Sequence, residues 1–430
     1  MAKKVGWIYK KTDLQYGKDT FRVDIPEKNF LWAISPKDAV PLKNEEKCIR
    51  KCLKDPISCP PLANQLNLGM KVVILVDDIT RPTPQDRILP ILLDELNKAG
   101  ISDKDISVLI ALGTHRYMTD EEIVQHCGQE TMNRVEIINH EWKNSHNFVN
   151  LGSTKKGTPV VVNRKVFEAD YIIGIGSIVP HEIAGFSGGA KIVQPGVCSW
   201  ETTGYTHLMA VKKDYLGIAG TITNDVRLEI EEVGRKVGLD FIVNVVIDRN
   251  RNLVEVVGGD PIDAQRRGIG PSAEVYIREI PQQADIVIVS SYPTEMDYWQ
   301  GIKALTYAQR GVRKDGTVIL VGCFPDGVAN PHPDLERYAT RPSKEIKRLI
   351  KERKIEDLTC AGTLFLHTLI LERSRVICIS KGITIAQKEN LGFKHAESVP
   401  HALETAFKEQ GRGAKVGVIN YGGDVLPVKK

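Results

Sequence analysis

The sequence predicts an α/β protein of two α/β domains with mostly parallel sheets. Three observations carry that expectation. At 430 residues the chain is too long for a single compact core. It carries many short apolar runs rich in Val and Ile. Between those runs, apolar residues recur at helical spacing.

Taken in order, KVVILV (71–76) has strand length and composition, and after the turn TRPTP the stretch QDRILPILLDELNKAG repeats its apolar residues with a helical period. This is a strand-loop-helix unit. SVLIAL (107–112), VEIINH (135–140), PVVV (159–162) and YIIGIG (171–176) read as further strands, interleaved with helical stretches such as DEEIVQH. Such a sheet should be mostly parallel. A second series follows the helical stretch DAQRRGIGPSAEVYIREI (263–280): DIVIVSS (285–291), TVILVGC (317–323) and RVICIS (375–380). The boundary is therefore expected near residue 275, with one domain over 1–275, a second over 276–394 and a cofactor cleft between them. The tail 395–430 adds the helix HALETAFKEQG and the strand KVGVIN (415–420). The pattern does not decide its domain, and joining the first is one option. No internal repeat or low-complexity tract interrupts the chain.

Composition narrows the partners. The 58 basic and 54 acidic residues are mixed along the chain and leave a net charge of +4, too balanced for a nucleic-acid footprint. Small-molecule partners are expected. No apolar run approaches the length of a membrane span, so no membrane role is expected. The start MAKKVGWIYKKTD has lysines but no apolar segment behind them, unlike a secretory leader, and a cytoplasmic location is expected. The cysteines at 48, 52, 59, 127, 198, 323, 360 and 378 form no CxxC pair and read as buried thiols. Cys48 and Cys52 would share a helix face, for which packing is the stronger reading than zinc.

Ligands of open α/β sheets bind beyond the carboxyl ends of the strands, and four segments at such positions carry candidate chemistry. In DDITRPTP, Asp77, Asp78, Thr80 and Arg81 follow a strand at the mouth of a helix. That suits a phosphate at the helix start, a carboxylate or phosphate on Arg81 and a ribose hydroxyl on Asp78; a capped helix with an exposed arginine fits equally. ALGTHR puts His115 on a turn after a strand, as an imidazole able to titrate near neutrality. SIVPHEIAGFSGGAK joins His181, the glycines at 185, 188 and 189, and Lys191, a cation or nucleophile held beside backbone that a ligand can approach. TEMDYWQGIKAL sets Gln300 and Lys303 at i, i+3 spacing, a clamp for a carboxylate. Two familiar loops are excluded: GIGSIV (174–179) has Val179 where a dinucleotide fingerprint needs glycine, and GGAKI lacks the ending of a P-loop.

Together with His207 in TTGYTHLMA, the strings DDITRPTP, ALGTHR, HEIAGFSGGAK and WQGIKAL resemble the nickel-pincer-nucleotide-dependent lactate racemase family, in wording and in order over most of the chain. The resemblance implies a 2-hydroxy acid racemase or epimerase. Its cofactor would be a nickel-pincer nucleotide, a pyridinium mononucleotide that holds nickel through one carbon and two sulfurs. It also implies roles. Lys191 would tether the cofactor, His207 would ligate nickel, and Asp78, Thr80, Gly188 and Gly189 would border the cofactor. His115 and His181 would be the paired acid/bases, while Arg81, Gln300, Lys303 and Trp299 would surround the substrate. In the family a hydride leaves the carbinol carbon and returns to the opposite face of a keto acid, each enantiomer served by one histidine. Cofactor maturation enzymes are implied as partners. The substrate would be a small 2-hydroxy acid such as lactate or malate. A sugar-acid 2-epimerase with the same cofactor and a non-catalytic mononucleotide-binding protein are the alternatives. Trp299 departs from the smaller ring expected at its position and reshapes the pocket. The histidines at 126, 140, 146, 332, 367, 395 and 401 are assigned to surface or packing.

Overall fold

A computed structural model describes residues 9–211 and 215–430; the N-terminal stretch read above for a leader begins outside them. Its opening strands are β1 (Tyr9–Tyr16), β2 (Asp19–Pro26) and β3 (Phe30–Ile34), the first two an antiparallel hairpin. Next come β4 (Val72–Val76), β5 (Ile106–Ile110), β6 (Glu136–Asn139), β7 (Phe148–Ser153), β8 (Pro159–Asn163), β9 (Tyr171–Ser177), β10 (Pro180–His181), β11 (Gly185–Phe186), β12 (Phe241–Ile247) and β13 (Leu253–Gly259). The last seven are β14 (Ile277–Ile280), β15 (Ala284–Ser290), β16 (Val312–Val321), β17 (Arg375–Ile379), β18 (Lys394–His395), β19 (Val416–Ile419) and β20 (Leu426–Lys429).

The chain divides into two compact units, one of residues 38–275 with 357–362 and the other of residues up to 37, 276–356 and 363–430. Each is built on a six-stranded sheet. In the first unit the order is β13-β12-β9-β4-β5-β6, parallel throughout except for β13. Every side chain of β4 and β9 is buried, as expected where helices cover both faces. The helix Gln85–Lys98 packs Ile88, Leu89, Leu92, Leu93 and Leu96 into the core, all 0% exposed; each contributes about 1.5–3 kcal/mol by leaving water. In the second unit the order is β18-β17-β16-β15-β19-β3, and every pair is parallel.

The two-domain α/β architecture agrees with the apolar runs, and the structure differs from them in four places. The tail 395–430 lies in the second unit, because β19 inserts between β15 and β3. Residues 9–37 lie there too, since β3 completes that sheet's edge. PVVV forms β8 of a separate antiparallel hairpin with β7 rather than a strand of the main sheet. Residues 277–280, read as the end of a helix, are β14, paired with β20. Three of these corrections come from strand pairing between residues far apart in the chain, and the β7–β8 hairpin from pairing with a neighbouring strand; in all four the pairing outweighs the local pattern.

Candidate active site

The strand order of the first unit locates the site. From β4 the chain proceeds through β5 to β6 on one side, then returns to lay β9 and β12 on the other. The reversal lies between β4 and β9, the position at which ligands of open α/β sheets bind. DDITRPTP leaves β4 there, SIVPHEIAGFSGGAK leaves β9, and ALGTHR leaves β5, the next strand along.

The two aspartates after β4 have separate tasks. Asp77 organises the turn: its carboxylate accepts from the Thr83 hydroxyl at 2.5 Å and the Gln85 side chain at 2.8 Å. Its carbonyl lies 2.8 Å from Nε2 of buried His126. Burial disfavours a charge on His126, but hydrogen bonds to Asp77 and its charge outweigh it and raise the imidazole's pKa. Asp78 is 3% exposed and accepts from the backbone N–H of Thr80 at 3.0 Å and from its hydroxyl. Its other oxygen meets Nδ1 of His115 at 2.5 Å. Burial alone would raise this carboxyl, yet His115, Arg81 and Thr80 hold it well below the usual carboxylate range. Arg81 is tied to the group by a 2.9 Å hydrogen bond to the Thr80 hydroxyl. An ionised acceptor at Nδ1 makes that nitrogen of His115 the donor and leaves Nε2 as the basic atom of the neutral ring.

His181 is held differently. It sits in the β10–β11 hairpin, opposite Gly185, and is 6% exposed. Its Nδ1 accepts backbone N–H groups from Ile183 at 3.2 Å and Ala184 at 3.3 Å. Lys191, half-buried, lies in the 3-10 turn Gly189–Ile192 that follows. Beneath it, Gly174 of β9 leaves room for Ile192: a Cβ there would lie 2.6 Å from the isoleucine methyl. Past Lys191 the chain approaches the β5 loop, where the Gly113 N–H donates to the Gly196 carbonyl at 2.9 Å. His207 lies on the helix Trp200–Val211. Its Nδ1 is 2.9 Å from the Thr203 carbonyl, so Nδ1 carries the proton and the neutral ring has its lone pair on Nε2, the arrangement of a metal-ligating histidine with an oriented ring.

The glycines predicted to border a cofactor are accounted for by protein contacts. A Cβ on Gly188 would fall 2.6 Å from the Asn244 side-chain oxygen, and one on Gly189 would fall 2.9 Å from the Pro261 carbonyl. Both residues have positive φ, 75° and 60°, and the Gly189 N–H donates to Asn244 at 2.7 Å. Trp299, Gln300 and Lys303 belong to the second unit, on the helix Tyr298–Gly311, whose N-cap is Asp297. All three are buried. Lys303 Nζ lies 3.4 Å from the Asp424 carboxylate, and the Trp299 indole stacks on His332 with ring centroids 4.0 Å apart.

A family model described as the lactate racemase N-terminal domain matches residues 16–218, and one described as the lactate racemase C-terminal domain matches residues 280–426. The chain belongs to the lactate racemase family. It is accordingly an isomerase of the racemase class. The lactate racemase of Lactiplantibacillus plantarum is 28% identical over 425 residues, covering 96% of this chain and 99% of the relative. That of Thermoanaerobacterium thermosaccharolyticum is 26% identical over 426 residues, covering 97% and 99%. The solved lactate racemase apoprotein from T. thermosaccharolyticum superposes with a TM-score of 0.86 at 26% identity, covering 97% of this chain and all of that one. A solved Thermotoga maritima protein shares the fold, with a TM-score of 0.73 at 22% identity over 92% of this chain and all of that one.

Within this member of the lactate racemase family, the structure adds residues that no sequence pattern revealed. Arg227, 1% exposed, donates to the carbonyls of Ala184 at 3.3 Å, Gly188 at 3.2 Å and Phe186, pinning the loop that carries His181. Burial pulls its guanidinium down to about 10, so it stays charged at neutral pH. Asn244 holds the turn before Lys191. Asp424 pairs with Lys303, and His332, assigned to surface or packing, is 2% exposed against Trp299. Arg227 and Asn244 sit in an ordinary helix and strand, so their roles depend on which loop lies above them.

Proposed function

We propose that this chain is a nickel-pincer-nucleotide-dependent racemase that inverts the hydroxyl-bearing carbon of a small 2-hydroxy acid, lactate, malate or a close analogue. The observation that carries the reading is the hydrogen-bonded Asp78–His115 pair beside the His181–Lys191 loop at the switch point of one sheet, in a lactate racemase family member. The residues fit the cofactor. Lys191 supplies the amine for a covalent tether. The Thr203 carbonyl orients His207 with Nε2 basic, as a nickel ligand requires. The loop after β4 offers Thr80 and Arg81 to a nucleotide phosphate or to the substrate carboxylate. Gly188 and Gly189 serve to shape the Lys191 turn.

When bound, the cofactor supplies a reversible hydride acceptor for the carbinol carbon. The chain's own residues do the rest. Arg81 binds the carboxylate and holds the keto acid in place, and Gln300 and Lys303 of the other unit offer an amide and an ammonium suited to the same kind of group. His115 accepts the hydroxyl proton at Nε2, and the imidazolium that forms keeps its Nδ1–H on Asp78. His181 serves the opposite enantiomer. Trp299, stacked on His332 within the second unit, is a residue that the family resemblance assigns to the surroundings of the substrate. Cofactor maturation enzymes are the partners this reading requires, and the location is cytoplasmic; among the described residues no helix is long and apolar enough to cross a membrane.

The test is production together with cofactor maturation enzymes, followed by intact mass, nickel content and chiral chromatography with lactate, malate, longer aliphatic acids and sugar acids. The reading expects an adduct lost in Lys191→Ala, nickel lost in His207→Ala and racemisation of at least one acid by the loaded protein. Turnover of sugar acids alone would make the chain an epimerase. Full activity without nickel or adduct would overturn the cofactor, and a loaded protein inert toward every acid would leave a nucleotide-binding role.

A further inference from the structure

The two histidines at the site are held through the same ring atom in opposite senses. At His115, Nδ1 faces an ionised acceptor, the Asp78 carboxylate, at 2.5 Å. At His181, Nδ1 faces two donors, the backbone N–H groups of Ile183 and Ala184 at 3.2 and 3.3 Å. A backbone N–H only donates, so Nδ1 of His181 holds a lone pair and the ring proton is on Nε2. The neutral rings are therefore opposite tautomers. Resting on the racemase reading above, this inequality has a chemical consequence.

A histidine that alternates between base and acid at Nε2 needs its Nδ1 to carry a proton throughout, because Nε2 is where the proton comes and goes. His115 meets that requirement as it stands: it takes the substrate proton at Nε2 and becomes an imidazolium whose Nδ1–H remains on Asp78. His181 does not. With Nε2 already protonated and Nδ1 accepting, it donates a hydrogen bond to a substrate oxygen but has no lone pair at Nε2. To work as an acid/base it must first gain a proton at Nδ1 from solvent water, to which His181 is 6% exposed. The gain makes it an imidazolium, which then gives up its Nε2 proton to an oxygen and is left as the Nδ1–H tautomer, a base. Once protonated, Nδ1 repels the two amides and needs an acceptor.

One acceptor is in place. Glu182 Oε2 lies 3.6 Å from His181 Nδ1. It is a buried carboxylate oxygen without a hydrogen-bond partner among the described residues, and such an atom is costly to leave unmatched.

We propose that Glu182 is the positioning residue of His181, accepting Nδ1–H in the working state, and that the resting enzyme presents one base, His115, and one Nε2–H donor, His181. Asp78 and Glu182 then play matching parts, one engaged at rest and the other only after His181 is protonated.

The test has a readout that needs no cofactor. In histidine-labelled apoprotein, nitrogen-15 spectra distinguish the two neutral tautomers, with signals assigned by His115→Asn and His181→Asn. The expected result is Nδ1–H at His115 and Nε2–H at His181 above the range in which either is protonated; Nδ1–H at His181 would overturn the proposal. In loaded enzyme, Glu182→Gln should keep the melting temperature and KM and lose kcat for racemisation by on the order of a hundredfold. First-turnover keto acid formation from the enantiomer served by His115 should continue at the wild-type rate. Glu182→Asp should recover part of the loss. Wild-type racemisation by Glu182→Gln in both directions would also overturn it. A wild-type enzyme that racemises nothing would sink the racemase reading instead, while the tautomers would still be read from the apoprotein.

Discussion

Asp77 and Asp78 are adjacent, identical in chemistry and opposite in use. One ties a turn to His126, Thr83 and Gln85, and the other meets His115. Both follow the end of β4, so the string DDITRP marks a candidate site without saying which carboxylate faces it. Arg227 poses the reverse case, a residue with no motif on which a loop depends. Replacing it by Met leaves the carbonyls of Ala184, Phe186 and Gly188 without that donor. With unmatched buried groups costing roughly 1–3 kcal/mol each, Arg227→Met should lower stability by about 3 kcal/mol or more. Urea unfolding measures the loss, and limited proteolysis should then cut within 180–189. A midpoint within error of wild type would show the clamp to be dispensable.

At the scale of elements, the loop between β9 and the helix Trp200–Val211 is shaped from below. Ser187 donates to the Ser177 carbonyl at 2.7 Å, Ser272 to the Ile178 carbonyl at 2.7 Å, and Gln265 to the Ser187 carbonyl at 3.0 Å. The glycines follow from that packing. Gly188→Ala places a methyl 2.6 Å from Asn244 Oδ1 at a φ of 75°, combining left-handed strain of about 1–2 kcal/mol with a clash. Gly157→Ala, at φ 87° with nothing within 4 Å, carries the strain alone. Thermal unfolding should therefore rank Gly188→Ala below Gly157→Ala by about 1 kcal/mol or more, and equal melting temperatures would mean that Asn244 moves aside without cost.

For the whole molecule, two buried histidines govern behaviour in acid. His140 and His367, one in each unit, are both 0% exposed. Burial pushes each down to about 4 despite a hydrogen bond to a backbone carbonyl. A depressed histidine is neutral when folded and protonates more readily when unfolded. Its contribution is therefore complete above the unfolded value near 6.5 and is lost as pH falls through about 4. Charging either ring in place costs about 3 kcal/mol. The melting temperature should drop between pH 6.5 and 4.5, and the drop should be smaller in His140→Gln than in wild type. An equally steep profile in both proteins would exclude His140 as a cause.

Apolar strand runs and the helical period of Gln85–Lys98 are legible in residue order because burial imposes them on every neighbour in turn. The motifs after β4, β5 and β9 are legible for a related reason: a ligand site at the carboxyl edge of a parallel sheet collects its polar residues just past each strand. Other features depend on what meets what across the fold. The place of β3 and β19, the insertion of the tail into the second unit, Arg227 under the His181 loop and Asp424 beside Lys303 all join residues distant in the chain. The tautomers of His115 and His181 belong here as well, since a ring proton is placed by whichever donor or acceptor the folded chain sets against it.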